Sequence, residues 1–376
     1  MCIRDRPPII LKKIITFITL CFVALCCHVP ASGASDGVTH MSIKNYGVLE
    51  GLSNQYIMDI TEDNRGFLWV ATDAGLYRFD GKEFLPFTTR NTSFISNSIN
   101  CLFYEEENDL LWIGTKLGLF KMNCATLVPE KIKEELIPEK PQIYNVVSIK
   151  RSTDGQSLWI TNRHVDIINY DIATGKLKIY NAYNVPGLGD TFNDVLEDGL
   201  GNLLVANSGG GMSRIHLETG RLDNFTHSTD NPDGIPGNFV ECLHRDRRGN
   251  IWIGTNKGLA IYDPITQKFR TFHHDENNSE SLVGSHVYDM CETDDGQLWI
   301  GCDIGGVSIL NLNDSAMASP DTIRFSNFAT GITDDGSGLA SSYVRNVYRD
   351  RHGNMWVGHY GHGLDFISHQ KRIFYT

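Results

Sequence analysis

Short apolar runs recur along the chain, each alternating with polar positions and each closed by a cluster of aspartate, asparagine and glycine. Runs such as YIMDI at 56–60, FNDVL at 192–196, FVECL at 239–243, VYDMC at 287–291 and YVRNV at 343–347 have the length and alternation of β-strands. Each is followed by a polar turn: Asp63–Gly66, Asp198–Gly201, Asp246–Gly249, Asp294–Gly296 and Asp350–Gly353. Aspartate and asparagine bond to their own backbone there, and glycine supplies the positive φ of a tight hairpin. A second strand, written tryptophan, isoleucine or valine, then glycine or alanine, comes next. A third follows another glycine turn, as in GLYRF at 75–79, GLAIY at 258–262 and GLDFI at 363–367. A more polar fourth strand completes the unit: KEFLPF at 82–87, KLKIY at 176–180, RLDNF at 221–225, KFRTF at 268–272 and IRFSNF at 323–328.

The unit repeats seven times. Its anchor positions are Trp69, Trp112, Trp159, Leu204, Trp252, Trp299 and Trp356, at intervals of 43, 47, 45, 48, 47 and 57 residues. That period is one blade of a propeller, so residues 36–376 read as an all-β, seven-bladed β-propeller of four-stranded antiparallel blades. A lone blade has two apolar faces it cannot bury. Blades packed face to face around an axis bury both, with the six tryptophans as wedges between neighbours. HMSIKNY at 40–46 and RIFYT at 372–376 both have the pattern of an outer strand for the last blade, and the N-terminal one is expected to close the ring. VPEKIKEELIPEK at 128–140 reads as a short helical detour in blade 2. Loops at Asn313–Asp321 and Ala329–Gly338 flank the end of blade 6.

The first 35 residues differ. Lys12 and Lys13 precede the apolar run 14–27, and Ala31, Ser32, Gly33, Ala34 and Ser35 follow, the order of a secretory signal. The run is short for a membrane span of about 20 residues. The remainder is therefore expected to be exported. Of nine cysteines, Cys101, Cys124, Cys242, Cys291 and Cys302 lie beyond this segment. An odd number without C-x-x-C spacing predicts buried free thiols and neither a zinc site nor a disulfide framework. The net charge of −12 repels phosphate backbones, which argues against nucleic-acid binding. Nothing in the sequence calls for a cofactor.

The string GLSNQYIMDITEDNRGFLWVATDAGLYRFDGKEF at 51–84, with later units such as GNIWIGTNKGL from Gly249, resembles the two-component regulator propeller repeat. The resemblance runs over about residues 40–376. It implies the periplasmic sensor of a hybrid two-component system, in which two propellers precede a β-sandwich, a membrane helix, a histidine kinase, a receiver and a DNA-binding domain. It further implies an oligosaccharide ligand derived from a glycan, a homodimeric receptor and control of genes for glycan use. The chain carries no kinase or receiver motif and is expected to be a fragment of such a protein. A stand-alone propeller acting as a lectin-like or protein-interaction module is the alternative, with a propeller glycosidase or lyase behind it.

Loops between fourth and first strands, and between second and third strands, gather where the central channel opens, and such loops vary freely on a rigid scaffold. Sugar recognition needs planar polar groups for paired hydroxyls and an aromatic face for stacking. The candidates are Arg163, His164, Lys257, Asp303, His359 and Tyr360; for an anionic ligand, Lys116, Arg163 and Lys257 would be the countercharges. His359 and His362 have a spacing that can share a metal, but His352, the available third ligand, belongs to a turn at the opposite end. A glycosidase needs two carboxylates across the channel, for which the same turns offer Asp73 and Asp303. No catalytic residue is assigned.

Overall fold

In a computed structural model of the chain, residues 43–132, 143–164, 166–313, 323–328 and 338–369 are described. They form seven four-stranded sheets, every pairing antiparallel between strands adjacent in sequence except one. The exception is Ile43–Tyr46, which pairs with Leu364–Ile367 (Ile43 opposite Ile367, Tyr46 opposite Leu364) and so supplies the outer strand of blade 7. The inner strands run Ile57–Glu62, Ile99–Glu105, Val146–Arg151, Phe192–Glu197, Val240–Arg245, His286–Glu292 and Val344–Arg349. Each touches the next, and the seventh touches the first, which closes the ring around a channel. Residues 1–35 and 372–376 lie outside the described residues.

Blade 2 corrects one expectation. Pro129–Lys131 is that blade's outer strand, paired with the third strand from Phe120 to Met122, so the start of the 128–140 segment is β and not helical. Residues 133–142 lie outside the described residues, as do the expected loops Asn313–Asp321 and Ala329–Gly338 apart from Asn313 and Gly338 themselves.

Seven apolar clusters fill the seven seams, and each holds the anchor residue of one blade against the inner strands of the next. Trp69, for example, packs with Ile99, Leu102 and Ile113 of blade 2, and Trp252 with Val287, Met290 and Ile300 of blade 6. The aspartate that nucleates the first turn also satisfies the indole. Asp246 accepts from the amides of Arg248 and Asn250 (3.0 and 2.8 Å) and from Trp252 Nε1 (2.9 Å). Asp63 and Asp350 serve Trp69 and Trp356 in the same way. In blade 4, where Leu204 stands at the anchor, Asp198 takes the amide side chain of Asn202 instead (2.6 Å). A buried indole N–H is thus paired through the residue that makes the turn.

The glycine after the tryptophan segment sets the inter-blade distance. A β-carbon on Gly254 would stand 2.8 Å from Val287 Cγ1 of the next blade, and one on Gly301 would stand 2.8 Å from Val344 Cγ1. Their φ values are ordinary; the constraint is close approach.

Candidate functional site

The inner strands carry an irregularity that simple alternation does not contain. In every blade the register between first and second strands slips by one residue near the top of the first strand. The extra residues are Met58, Asn100, Val147, Asn193, Glu241, Tyr288 and Arg345. A β-bulge re-aims its side chain, and all seven line one cavity of about 400 Å³ at the mouth of the channel. That volume lies within the range of small-molecule sites.

One residue further down, a second ring forms the floor: Asp59, Cys101, Ser148, Asp194, Cys242, Asp289 and Asn346. Its aspartates clamp neighbouring blades. Asp59 Oδ2 accepts the amide of Leu102 at 2.7 Å, Asp194 Oδ2 that of Leu243 at 2.9 Å, and Asp289 Oδ2 that of Val347 at 2.9 Å. Lys150 Nζ reaches from blade 3 to Asp194 Oδ2 (2.5 Å) and to the carbonyl of Leu243 in blade 5 (2.7 Å). Asn346 Nδ2 bridges the other two carboxylates, at 2.8 Å from Asp289 Oδ2 and 3.3 Å from Asp59 Oδ1. Burial pushes Asp59 up to about 6 and Asp289 to about 7, against the pull of the amides that donate to them. Burial and the Lys150 charge hold His244, which also lines the channel, down near 4. Among the described residues no group of three or more histidine, cysteine, aspartate or glutamate side chains gathers as metal ligands.

Above the floor runs a belt of touching polar and aromatic groups. Arg163 Nη2 donates to Asn193 Oδ1 (3.2 Å), Asn193 Nδ2 donates to Glu241 Oε2 (3.2 Å), and Glu241 Oε1 meets His286 Nε2 (3.1 Å). The His286 ring stacks on Tyr288 with centroids 4.2 Å apart. The Arg345 guanidinium lies 4.0 Å from the Tyr288 centroid and 6.0 Å from that of Tyr360. Tyr360 meets Tyr56 edge-on at 4.7 Å. Asn100 and Asn145 continue the lining on the side of blade 2. Half of the mouth therefore offers amides and a guanidinium, and the other half offers aromatic faces.

The residues singled out from sequence divide accordingly. Arg163 lines the cavity. Tyr360, half exposed, stands on its rim beside Arg345 and Tyr56. His164 and Lys257 are exposed turn residues outside the lining, and the Lys257 carbonyl accepts from His273. Asp303 ends the second strand of blade 6, opposite His286 across the ladder, and Asp73 accepts a hydroxyl from Ser98; neither lines the mouth. Lys116 also lies outside it. His359 is not a loop residue at all. It is fully buried, with Nε2 2.7 Å from Asp365 Oδ2, inside blade 7. His352 lies in the first turn of blade 7, its amide bonded to Asp350.

The bulge residues escaped the sequence reading, although a signal was present. Buried apolar residues at the top of each inner strand are three apart where an unbroken strand would place them two apart: Ile57 and Ile60, Ile99 and Leu102, Val240 and Leu243, Val344 and Val347. The residue just after the first of each pair is the one turned into the channel.

The model of the two component regulator propeller family matches residues 51–74, 234–257, 281–303 and 338–361, which span the inner strands of blades 1, 5, 6 and 7. No curated protein matches the sequence. Among solved structures, the extracellular domain assigned to a hybrid two component system from B. thetaiotaomicron is 30% identical with a TM-score of 0.77. The match covers 89% of this chain and 43% of that one, so the chain spans less than half of that domain. A second extracellular domain from B. thetaiotaomicron, assigned to a one component system, is 19% identical with a TM-score of 0.67, covering 87% and 40% of the two chains. Virginiamycin B lyase from Staphylococcus aureus, 12% identical with a TM-score of 0.60 over 87% and 98%, shares the fold. The chain thus carries the two component regulator propeller repeat in four of its seven blades, on a fold it shares with the 30%-identical extracellular domain.

Proposed function

We propose that this propeller is the ligand-sensing part of a periplasmic hybrid two-component sensor, and that it binds an oligosaccharide in the mouth cavity. The carrying observation is the belt itself: seven bulges turn their side chains into one opening of about 400 Å³, and four of them, Asn100, Asn193, Tyr288 and Arg345, bring amide, aromatic and guanidinium groups. Amides and guanidiniums pair with vicinal hydroxyls, and Tyr360, half exposed at the rim, offers a ring against which a pyranose can lie. The attached parts, expected to be a second propeller, a β-sandwich and a membrane-anchored kinase acting as a homodimer, would read occupancy and control genes for glycan use. The relatives' names support that setting.

Binding is preferred over turnover for this site because its carboxylates are engaged: Asp59, Asp194 and Asp289 in clamps, Glu241 with His286 and Asn193. Calorimetric titration of the propeller with a panel of glycan-derived oligosaccharides tests the reading. One or more should bind, and Tyr288→Ala, which takes away the ring that holds the Arg345 guanidinium, should weaken that binding by about tenfold or more. Binding unchanged by Tyr288→Ala would move the site elsewhere, and release of shortened sugars would make the protein an enzyme.

A further inference from the structure

We infer that the ligand of the mouth cavity carries an anionic group, a uronate carboxylate or a sulfate, which Arg345 and Arg163 receive. This rests on the mouth being the oligosaccharide site. Accounting for the partners of the charged groups inside the cavity leads to it. Lys150 and Asp194 cancel each other at 2.5 Å. Glu241 is held by His286 and Asn193, and Asp59 and Asp289 take backbone amides. Arg163 and Arg345 remain. Neither has a carboxylate within ion-pair distance among the described residues, and the buried Nε of Arg163 has no hydrogen-bond partner.

Three other arginines, in blades 4 and 7, do have a carboxylate partner. Arg214 pairs with Asp223, Arg349 with Asp294 and Arg351 with Glu62. In a protein with 45 acidic and 33 basic residues, carboxylates are the more abundant partner. A guanidinium cannot shed its proton, so one that is partly desolvated without a counterion gains most from an anion brought by a ligand. Its fork fits a carboxylate or sulfate through two parallel hydrogen bonds, which lysine does not reproduce. The Tyr288 ring, 4.0 Å from the Arg345 guanidinium, holds that group at the cavity wall, where it can meet an acidic substituent of the sugar. Arg163 acts from the opposite arc of the ring, in blade 3.

Matched pairs of sugars provide the test. Trigalacturonate and its carboxyl-reduced counterpart form one pair; a sulfated chondroitin disaccharide and its desulfated form make the other, each titrated calorimetrically into the propeller. The acidic member of at least one pair should bind about tenfold more tightly or better, the scale of one charge-assisted hydrogen bond, and the preference should shrink with added salt. Which pair shows it separates uronate from sulfate. Arg345→Gln and Arg163→Gln should each remove most of the preference while leaving the melting temperature of the free protein in place. Arg345→Lys should restore it only in part. Neutral members binding as well as acidic ones, or arginine variants keeping the preference, would overturn the inference and leave the oligosaccharide reading standing. No binding by any sugar, acidic or neutral, in the wider panel would overturn both.

Discussion

Asp59 and Asp289 show how one residue type at equivalent positions takes two burdens. Each closes a seam by accepting an amide of the next blade, and each is held in an environment that disfavours its charge. Their folded pKa values, about 6 and about 7, exceed the roughly 3.9 of an unfolded aspartate. The folded state therefore binds more protons between pH 4 and 7, and stability from these groups rises as pH falls from 8 toward 5. Urea midpoints at pH 8, 6.5 and 5 should increase in that order, and Asp289→Asn should flatten the rise; a midpoint that falls steadily over this range would refute it. Below about pH 4 the trend should reverse. Asp223 resists the raising effect of burial through hydrogen bonds from Arg214, His216 and Arg221, is held at about 2, and loses that contribution as it protonates. Gly254 makes a simpler point. Gly254→Ala should cost about 1–3 kcal/mol, read from denaturant unfolding, because the added methyl meets Val287 across the seam.

At the scale of the strand, the bulge is the functional element. Without it the inner strand would alternate strictly, and its side chains would face one seam or the other; the extra residue frees one position per blade for the channel. The wedge is the stabilising element. Trp252→Leu imitates blade 4 but leaves a void beside Val287 and Ile300 and takes one of two donors from Asp246 Oδ2, so it should destabilise by about 2–4 kcal/mol in the same assay. In the closing blade, Asp365 gathers His359 Nε2, the Asn45 side chain of the N-terminal strand and the Ala340 amide. Asp365→Ala strands these donors in a buried place, with an expected loss of about 2–4 kcal/mol. It should also speed proteolytic cleavage near Asn45. A variant as resistant as the parent would show that the strand is held by its ladder alone.

For the whole molecule, closure matters more than any single seam. Ile43–Tyr46 joins the beginning of the ring to its last blade, and Tyr46 packs with Phe79, Phe84 and Trp356 from blades 1 and 7. Removing residues up to Tyr46 takes out that packing and exposes the edge of Leu364–Ile367. The melting temperature should drop, with hydrogen exchange rising first in blades 7 and 1; uniform exchange around the ring would argue against a clasp. A ring tied by Asp59, Asp194, Asp289 and Lys150 across its axis has little freedom to change shape inside. A ligand at its mouth is then expected to act by rigid-body movement against whatever packs on that face.

The period of the anchor residues, the aspartate–glycine turns and the alternation of the strands were sufficient for the sequence to determine seven blades of four strands. These are local and repeated signals, and each blade reads the same in isolation. The site was not local. Arg163 and Tyr360 could be chosen because turns between second and third strands must surface at one end. Whether such a residue faces the axis, the rim or a seam depends on blade tilt, and this separates Arg163 from Lys257 and hides His359 against Asp365. Arg345, Tyr288, Asn193 and Glu241 come from strands that look like any others until the ring is closed. Their bulges are legible as apolar spacings of three, but that they converge on one cavity follows from seven-fold packing about an axis, which no single repeat encodes.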